Sequence, residues 1–187
     1  MAATRLDPKA ALIVIDLQNG IIALPLARPV REVVARAARL AEAFRRRGLP
    51  VVLVNVAGGA PGRTEQAGVR GPFPDAFTEL VAELDRQPQD HLVTKHTWGA
   101  FTNTDLLDHL RREGVTQVVI AGVATSIGVE STARQAYEYG FNVTLAIDAM
   151  TDRTAEAHDN SIQRIFPRLG ETAETDAILA LLDATKR

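Results

Sequence analysis

One stretch near the middle of the chain, residues 117–140, constrains the fold more than any other. It begins with the β-branched run 118–120, which is short and uninterrupted, as in a strand buried on both faces. A turn follows, with Thr125 or Ser126 available as N-cap, and apolar residues then recur at helical spacing. A buried strand that runs directly into a helix predicts a parallel sheet. Ligands bind at the carboxyl edge of such sheets, so we expect this turn to be part of any active site.

The remaining sequence alternates between apolar strands and amphipathic helices. This order predicts an α/β fold of three layers, a Rossmann-like parallel sheet of about six strands with helices on both faces. The predicted strands are 10–15, 50–56, 91–94, 118–120, 141–147 and 171–173. The predicted helices are 31–47, 75–86, a helix from an Asn103 N-cap to Gly114, the helix that ends at Gly140, 154–169 and 176–185.

A segment rich in Gly and Pro, residues 58–72, has neither helical nor strand periodicity. Loops of this length inside a compact domain are usually functional or disordered. No change in composition flanks the segment, so we interpret it as a loop that covers substrate rather than a linker. The expected organisation is therefore one domain over residues 1–187.

Charge and composition exclude several classes of partner. The net charge is -2 and the pI about 6.1, which favours neither a nucleic acid nor an anionic membrane surface. No apolar run approaches the ~20 residues that a membrane span needs, and we expect a cytoplasmic protein. The chain has no cysteine, which excludes disulfides, thiolate metal sites and thiol nucleophiles.

Two charged residues follow predicted strands at the edge where ligands bind. Asp16 ends the first strand, and a partly desolvated carboxylate there could have a raised pKa suited to proton transfer. Lys95 ends the third strand and could pair with Asp16 and stabilise developing negative charge. From position alone, Asp16 is as readily a cap for the next turn, and a lone lysine after a strand is usually solvated.

Other residues are informative through their size, and the chain also lacks several common motifs. Gly128 lies in the first turn of a predicted helix, where glycine costs up to about 1 kcal/mol; it is either tolerated near a helix end or leaves space for water or substrate. Trp98 and Phe101 could line an apolar pocket, although core packing is more common. The four histidines lack metal-ligand spacing, and no GxSxG, GxxxxGK[ST] or GxGxxG motif is present.

Taken together, four segments resemble the isochorismatase-like hydrolases. They are residues 11–18 around Asp16, Lys95 with Ala100-Phe101 and a Leu-rich helix, residues 122–133, and residues 140–149. The resemblance covers nearly the whole chain. Common family members use an Asp, Lys, Cys triad, and Asp16 and Lys95 match its first two members. The nucleophilic Cys position matches Gly128. The resemblance also implies a cis peptide bond, not before proline, between Val123 and Ala124.

By this resemblance, the catalytic residues are Asp16, Lys95 and Gly128, and the route through a thiol is excluded. True isochorismatases also have Gly at the Cys position, which implies protonation of an enol-pyruvyl vinyl ether by Asp16 and then attack by water. Two alternatives stay open. One is a catalytically silent protein that binds a small ligand or a protein partner, and the other is hydrolysis by water that Asp16 activates directly.

The resemblance further implies a set of substrate contacts and an assembly state. The expected substrate-binding residues are Gln18, Arg63, Trp98, Phe101, Val123, Ala124 and Thr125, and Arg70 is an alternative to Arg63. No cofactor is expected. No metal is expected either, because residues 55–57 lack the His that metal-binding nicotinamidases place there. Family members assemble as dimers or tetramers, so we expect a homo-oligomer.

Overall fold

A computed structural model describes residues 3–65 and 71–185. Its centre is a sheet of six parallel strands in the order β3-β2-β1-β4-β5-β6. The strands are β1 Ala10–Ile15, β2 Val51–Val56, β3 His91–Lys95, β4 Gln117–Val123, β5 Asn142–Thr151 and β6 Glu171–Ala173. The predicted α/β sheet is confirmed. β1 and β4 are buried along their whole length, which explains why both read as uninterrupted apolar runs.

Helices cover both faces of the sheet and complete the three layers. They are α1 Asn19–Ile22, α2 Val30–Arg46, α3 Asp75–Thr78, α4 Leu106–Arg112, α5 Glu130–Glu138, α6 Ala155–Asn160, α7 Phe166–Leu169 and α8 Thr175–Ala184. One hydrophobic core lies between the sheet and α2 with α8, and it includes Leu40, Phe44 and Ile178. A second core lies between the sheet and α4, α5 and α7. None of the described helices is both long enough and apolar enough to cross a membrane.

The predicted helix over residues 75–86 is wrong in its middle. The chain forms α3, becomes extended, and then makes a short 3-10 helix at Ala82–Leu84. Between them Leu80 forms an antiparallel bridge with Gln18, and the Val81 N–H donates to the Leu17 carbonyl at 3.1 Å. These contacts are distant in sequence, so local helical periodicity did not predict the break.

Three further boundaries differ from the prediction. Asn103 has a left-handed backbone with φ 56 and does not cap α4, whose N-cap position is Asp105. Neither Thr125 nor Ser126 caps α5, because a π-helical turn, Thr125–Val129, precedes that helix. β5 continues past Asp148 to Thr151, since the register with β4 shifts so that Val123 pairs with Thr151.

Candidate active site

β1 and β4 are neighbours at the point where the strand order reverses, and their carboxyl ends define a crevice. Ile15 at the end of β1 pairs with Gly122 of β4. The backbone of Gly122 has φ 120, and a Cβ there would lie 2.0 Å from the Ile15 carbonyl oxygen. Only glycine permits so close an approach. The residues that follow the two strands, Asp16 and the turn that begins at Ala124, therefore face each other.

Asp16 and Lys95 form a buried ion pair in this crevice. Lys95 Nζ donates a hydrogen bond to Asp16 Oδ2 at 2.7 Å, and their side chains are 2% and 7% exposed, respectively. Nζ also donates to the Thr97 carbonyl at 3.1 Å, which fixes the ammonium group. The second carboxylate oxygen, Asp16 Oδ1, is buried and has no hydrogen-bond partner among the described residues. The expectation that Asp16 and Lys95 meet at the sheet edge agrees with this geometry.

The carboxyl group of Asp16 is poised near neutrality. Burial raises the pKa of Asp16 to about 6 from its ordinary value of 3.8, although the charge and the hydrogen bond of Lys95 lower it. A carboxyl group with a pKa in this range exists in both protonation states at mild pH. It can therefore give up a proton and take one back, as a general acid must.

Gly128 lies directly against this carboxyl group. A Cβ at position 128 would lie 3.2 Å from Asp16 Oδ2 and 3.0 Å from Ile15 Cγ2, both tighter than ordinary contacts. Gly128 is buried within the π-helical turn, a type of turn found frequently at functional sites. The absence of a side chain here keeps one side of the carboxyl group uncrowded.

The turn itself contains the cis peptide bond that the resemblance implied, between Val123 and Ala124. Val123 and Thr125 are buried and Ala124 is half-buried. The Ala124 carbonyl accepts hydrogen bonds from the N–H groups of Ile127 and Val129, both at 3.1 Å. These bonds wind the chain so that Thr125 and Gly128 lie at the start of the helical segment that faces Asp16.

Two residues that the sequence analysis did not single out contact this turn. The buried carboxylate of Asp152 accepts a hydrogen bond from the Ser126 N–H at 2.6 Å. The Thr125 hydroxyl is hydrogen-bonded to His158 Nδ1 at 2.7 Å. No local pattern marks either residue; the extension of β5 beyond Asp148 would have been the signal for Asp152.

Gln18 is buried and has a structural role that the sequence did not reveal. Its side-chain amide donates to the Val56 and Phe77 carbonyls at 3.0 and 3.1 Å and accepts from the Val56 N–H at 2.7 Å. The amide thereby ties the end of β2 to the segment before α1. With these bonds made, the geometry favours a role in holding the crevice over direct contact with substrate.

The other predicted substrate-binding residues are dispersed. Phe101 is 5% exposed and packs against Phe141 and Tyr139, so its ring belongs to the core. Trp98 is 64% exposed, three residues beyond Lys95. Arg63 is exposed in the described part of the 58–72 loop. Arg70 lies outside the described residues, as does most of the second half of that loop.

A hydrogen-bonded link holds the segment after β3 against α5. The Thr132 hydroxyl donates to the Gly128 carbonyl at 2.7 Å and accepts from the Ala100 N–H at 3.1 Å. Thr97, whose carbonyl holds Lys95, lies in the same segment and bonds to the Gly99 carbonyl at 3.1 Å. The lysine and the turn therefore share a common support.

Two further observations concern where a ligand or metal ion could bind among the described residues. Within residues 3–65 and 71–185, no group of three or more His, Asp or Glu side chains is arranged to hold a metal ion. A cavity of about 570 Å³ lies at the opposite edge of the sheet, where Gln117 and Asn142 begin β4 and β5. We assign the candidate site to the carboxyl edge, because the buried ion pair and the unpartnered oxygen are found there.

Known proteins are similar to this chain in sequence and in fold. A model of the isochorismatase domain matches residues 10–177. The isochorismatase family protein YecD of Escherichia coli O157:H7 is 42% identical over 181 residues, which cover 92% of this chain and 95% of that one. The isochorismatase of Bacillus subtilis is 28% identical over 189 residues, which cover 92% of this chain and 58% of that protein.

The solved structures agree with the sequence relatives. An isochorismatase family protein from Burkholderia thailandensis superposes with a TM-score of 0.92 at 42% identity, covering 96% of this chain and 98% of that one. The family model spans most of the chain, and the sheet order and the pair of charged strand-end residues lie within it. The chain belongs to the isochorismatase-like hydrolase family.

Proposed function

We propose that this hydrolase cleaves an enol-pyruvyl vinyl ether such as isochorismate, with Asp16 as general acid and without a covalent intermediate. The observation that carries the proposal is the buried Asp16 carboxyl group, which has a pKa of about 6 and one unpartnered oxygen. An acid of this kind suits protonation of carbon, which needs a proton donor shielded from water. The Bacillus subtilis relative described as an isochorismatase supports the choice of substrate.

The reaction balances with water as the second reactant. Protonated Asp16 donates its proton to the terminal carbon of the enol-pyruvyl double bond, which leaves an oxocarbenium ion. Water adds to that ion, and the carboxylate of Asp16 recovers a proton from it. The resulting hemiketal then breaks its bond to the oxygen carried by the ring, and its hydroxyl proton passes to that oxygen, so that pyruvate and the ring alcohol are released.

Lys95 and Gly128 have defined roles in this proposal. Lys95 donates to Asp16 Oδ2 at 2.7 Å, which leaves Oδ1 as the oxygen that can carry the transferable proton, and the charge of Lys95 favours return of the carboxylate after proton transfer. Gly128 provides room beside the acid, where a side chain would crowd Asp16 Oδ2. The chain contains no cysteine, so a thioester route is not available to it.

Release of pyruvate from isochorismate by the purified protein tests the proposal, with Asp16→Asn as the variant. Asn cannot donate a carboxyl proton, so we expect turnover to be lost. Asp105→Asn, which removes an exposed carboxylate, serves as the matched control and should leave turnover unchanged. An Asp16→Asn protein with full turnover would exclude the general-acid role.

The pH dependence separates this reaction from direct activation of water by Asp16. A general acid must be protonated, so kcat/KM should fall as the pH rises through about 6. A general base must be ionised, and activity should then rise over the same range. A protein that only binds ligand would show thermal stabilisation by ligands without any turnover.

The expected homo-oligomer stays a prediction, which light scattering at micromolar concentration tests.

A further inference from the structure

A segment that follows β5, residues 152–161, contacts the turn at two points and the start of α5 at a third. Asp152 accepts from the Ser126 N–H at 2.6 Å, and His158 Nδ1 bonds to the Thr125 hydroxyl at 2.7 Å. The Ser161 hydroxyl donates to Glu130 Oε2 at 2.6 Å, at the start of α5. The side chains of Asp152, His158 and Ser161 make these three contacts. Nothing in the proposed chemistry uses them directly.

Asp152 replaces a cap that the turn lacks. The residue at the N-cap position of the π-helical turn is Ala124, which has no side chain able to accept a hydrogen bond. The first N–H groups of a helical segment have no partner within it, and a carboxylate is a strong acceptor for them. Asp152 is 2% exposed, and its two oxygens accept from the N–H groups of Ser126 and Arg153, at 2.6 and 2.7 Å.

His158 fixes the side chain of the residue next to Ser126. It is 1% exposed, and its Nε2 is buried without a hydrogen-bond partner in the described structure. Burial lowers the pKa of His158, as does the positive charge of Arg28, while Asp159 and Asp152 raise it. A neutral ring with one nitrogen on Thr125 ties the turn to α6.

The end of β5 and Asp152 also hold the loop between α1 and α2. The Ala27 N–H donates to the Asp152 carbonyl at 2.8 Å, and the Arg28 N–H donates to the Thr151 hydroxyl at 3.1 Å. These bonds attach the loop between α1 and α2 to the end of β5. Displacement of Asp152 would therefore move the turn and this loop together.

We propose that Asp152 and His158 are positioning residues that set the distance between the turn and the Asp16 carboxyl group. Gly128 belongs to the turn, and a Cβ there would lie only 3.2 Å from Asp16 Oδ2. Loosening the turn would let it move against, or away from, the proposed acid. The inference rests on the proposed function only in assigning catalysis to Asp16; the placement of the turn can be measured without a substrate.

The test compares Asp152→Asn with Asp159→Asn. Asn keeps one acceptor but turns an NH2 group toward a backbone N–H that now lacks an acceptor. Asp159 is exposed on α6 and its charge also acts on His158, so Asp159→Asn is a matched control for the loss of charge. We expect kcat for Asp152→Asn to fall by about 10- to 100-fold, as displacements near 1 Å do. Asp159→Asn should keep the kcat of the wild type.

A spectroscopic measurement decides the placement independently of turnover. In Asp152→Asn, the backbone amide resonances of Ser126 and Gly128 should move, and the pKa of Asp16 followed by carboxyl 13C NMR should change. Both quantities should be unchanged in Asp159→Asn. If the wild type releases no pyruvate but these shifts occur, the assigned reaction fails while the positioning role stands.

A second pair of variants covers the outcome in which Asp152→Asn does not fold. Thr125→Val removes the hydroxyl that meets His158 with little change of shape, and Thr125→Ser restores it. We expect Thr125→Val to move the Gly128 amide resonance and Thr125→Ser to return it toward the wild-type position. Wild-type kcat with unmoved Ser126 and Gly128 resonances in Asp152→Asn, or an unmoved Gly128 resonance in Thr125→Val, would overturn the proposal.

Discussion

Replacing Lys95 with Met removes the counterion of Asp16 and keeps a side chain of similar length. In the wild type, burial raises the pKa of Asp16 to about 6 while Lys95 opposes the increase. Without the ammonium group, burial acts alone, so the pKa of Asp16 must rise further above 6. The variant therefore tests whether the ion pair or the burial dominates the chemistry of the carboxyl group.

The expected change in stability follows from proton binding. The folded wild type binds the Asp16 proton more tightly than the unfolded chain does, because its pKa is about 6 instead of 3.8. The stability this provides is fully present below pH 3.8. It is lost by about pH 6, a decrease of about 3 kcal/mol at 1.36 kcal/mol per pH unit. In Lys95→Met the decrease continues above pH 6, at about 1.4 kcal/mol per pH unit, until the new pKa is reached.

Denaturant unfolding of both proteins between pH 5 and pH 9 measures this difference. At pH 8 the variant must either ionise a buried carboxyl group that has no partner or keep that group protonated at a pH far above 3.8, and we expect a loss of about 3–5 kcal/mol relative to the wild type. At pH 5 the carboxyl group is protonated in the variant, and the loss should be much smaller. Lys9→Met, the same change at an exposed lysine, is the matched control.

Either of two results would contradict a rise in the pKa of Asp16 in Lys95→Met. If the destabilisation by Lys95→Met is the same at pH 5 and pH 8, removal of Lys95 does not raise the pKa of Asp16. A pKa of Asp16 at or below 6 in the variant, measured by carboxyl 13C NMR, would refute it as well. In either case Lys95 would not be opposing the effect of burial on the pKa of Asp16.

Three further predictions follow from contacts in the crevice. Gly128→Ala should reduce turnover, since the new Cβ crowds Asp16 Oδ2, while the free energy of unfolding changes by less than about 1 kcal/mol because Ala favours helix. Gln18→Ala should cost about 2–4 kcal/mol in denaturant unfolding, because it leaves the Val56 N–H and two carbonyls without their partner. Trp98→Ala should leave the unfolding midpoint unchanged, and it raises KM at constant kcat only if the exposed ring contacts substrate.

The sequence was sufficient for features that depend on local pattern. Uninterrupted apolar runs located β1 and β4. Strand-end position made Asp16 and Lys95 candidates for one sheet edge, and the family resemblance selected them over the interpretations as a cap and as a solvated lysine. A raised pKa of Asp16 was one of two interpretations of its place after a buried strand, and burial of the side chain does raise that pKa.

Features that depend on contacts between distant segments were missed. The break after α3 results from a bridge to Gln18, and the extension of β5 results from a shift in register against β4. Asp152 contacts Ser126, which is 26 positions earlier in the sequence, and His158 contacts Thr125, which is 33 positions earlier. Periodicity along the chain does not encode contacts over such separations. These contacts were therefore available only from the folded chain.

The backbone of Asp16 limits which amino acids can replace the acid. Its φ of 52 is in the left-handed region, which Gly, Asn and Asp adopt more readily than other residues. A longer carboxylate such as Glu would gain reach but would strain the backbone by about 1–2 kcal/mol. In a library randomised at position 16, folded variants should therefore be enriched in Asn and Gly, neither of which can donate a carboxyl proton. The backbone conformation at position 16 therefore disfavours Glu, whatever its chemical reactivity would be. Asp is the carboxylic acid that suits both the left-handed backbone and the proposed proton transfer.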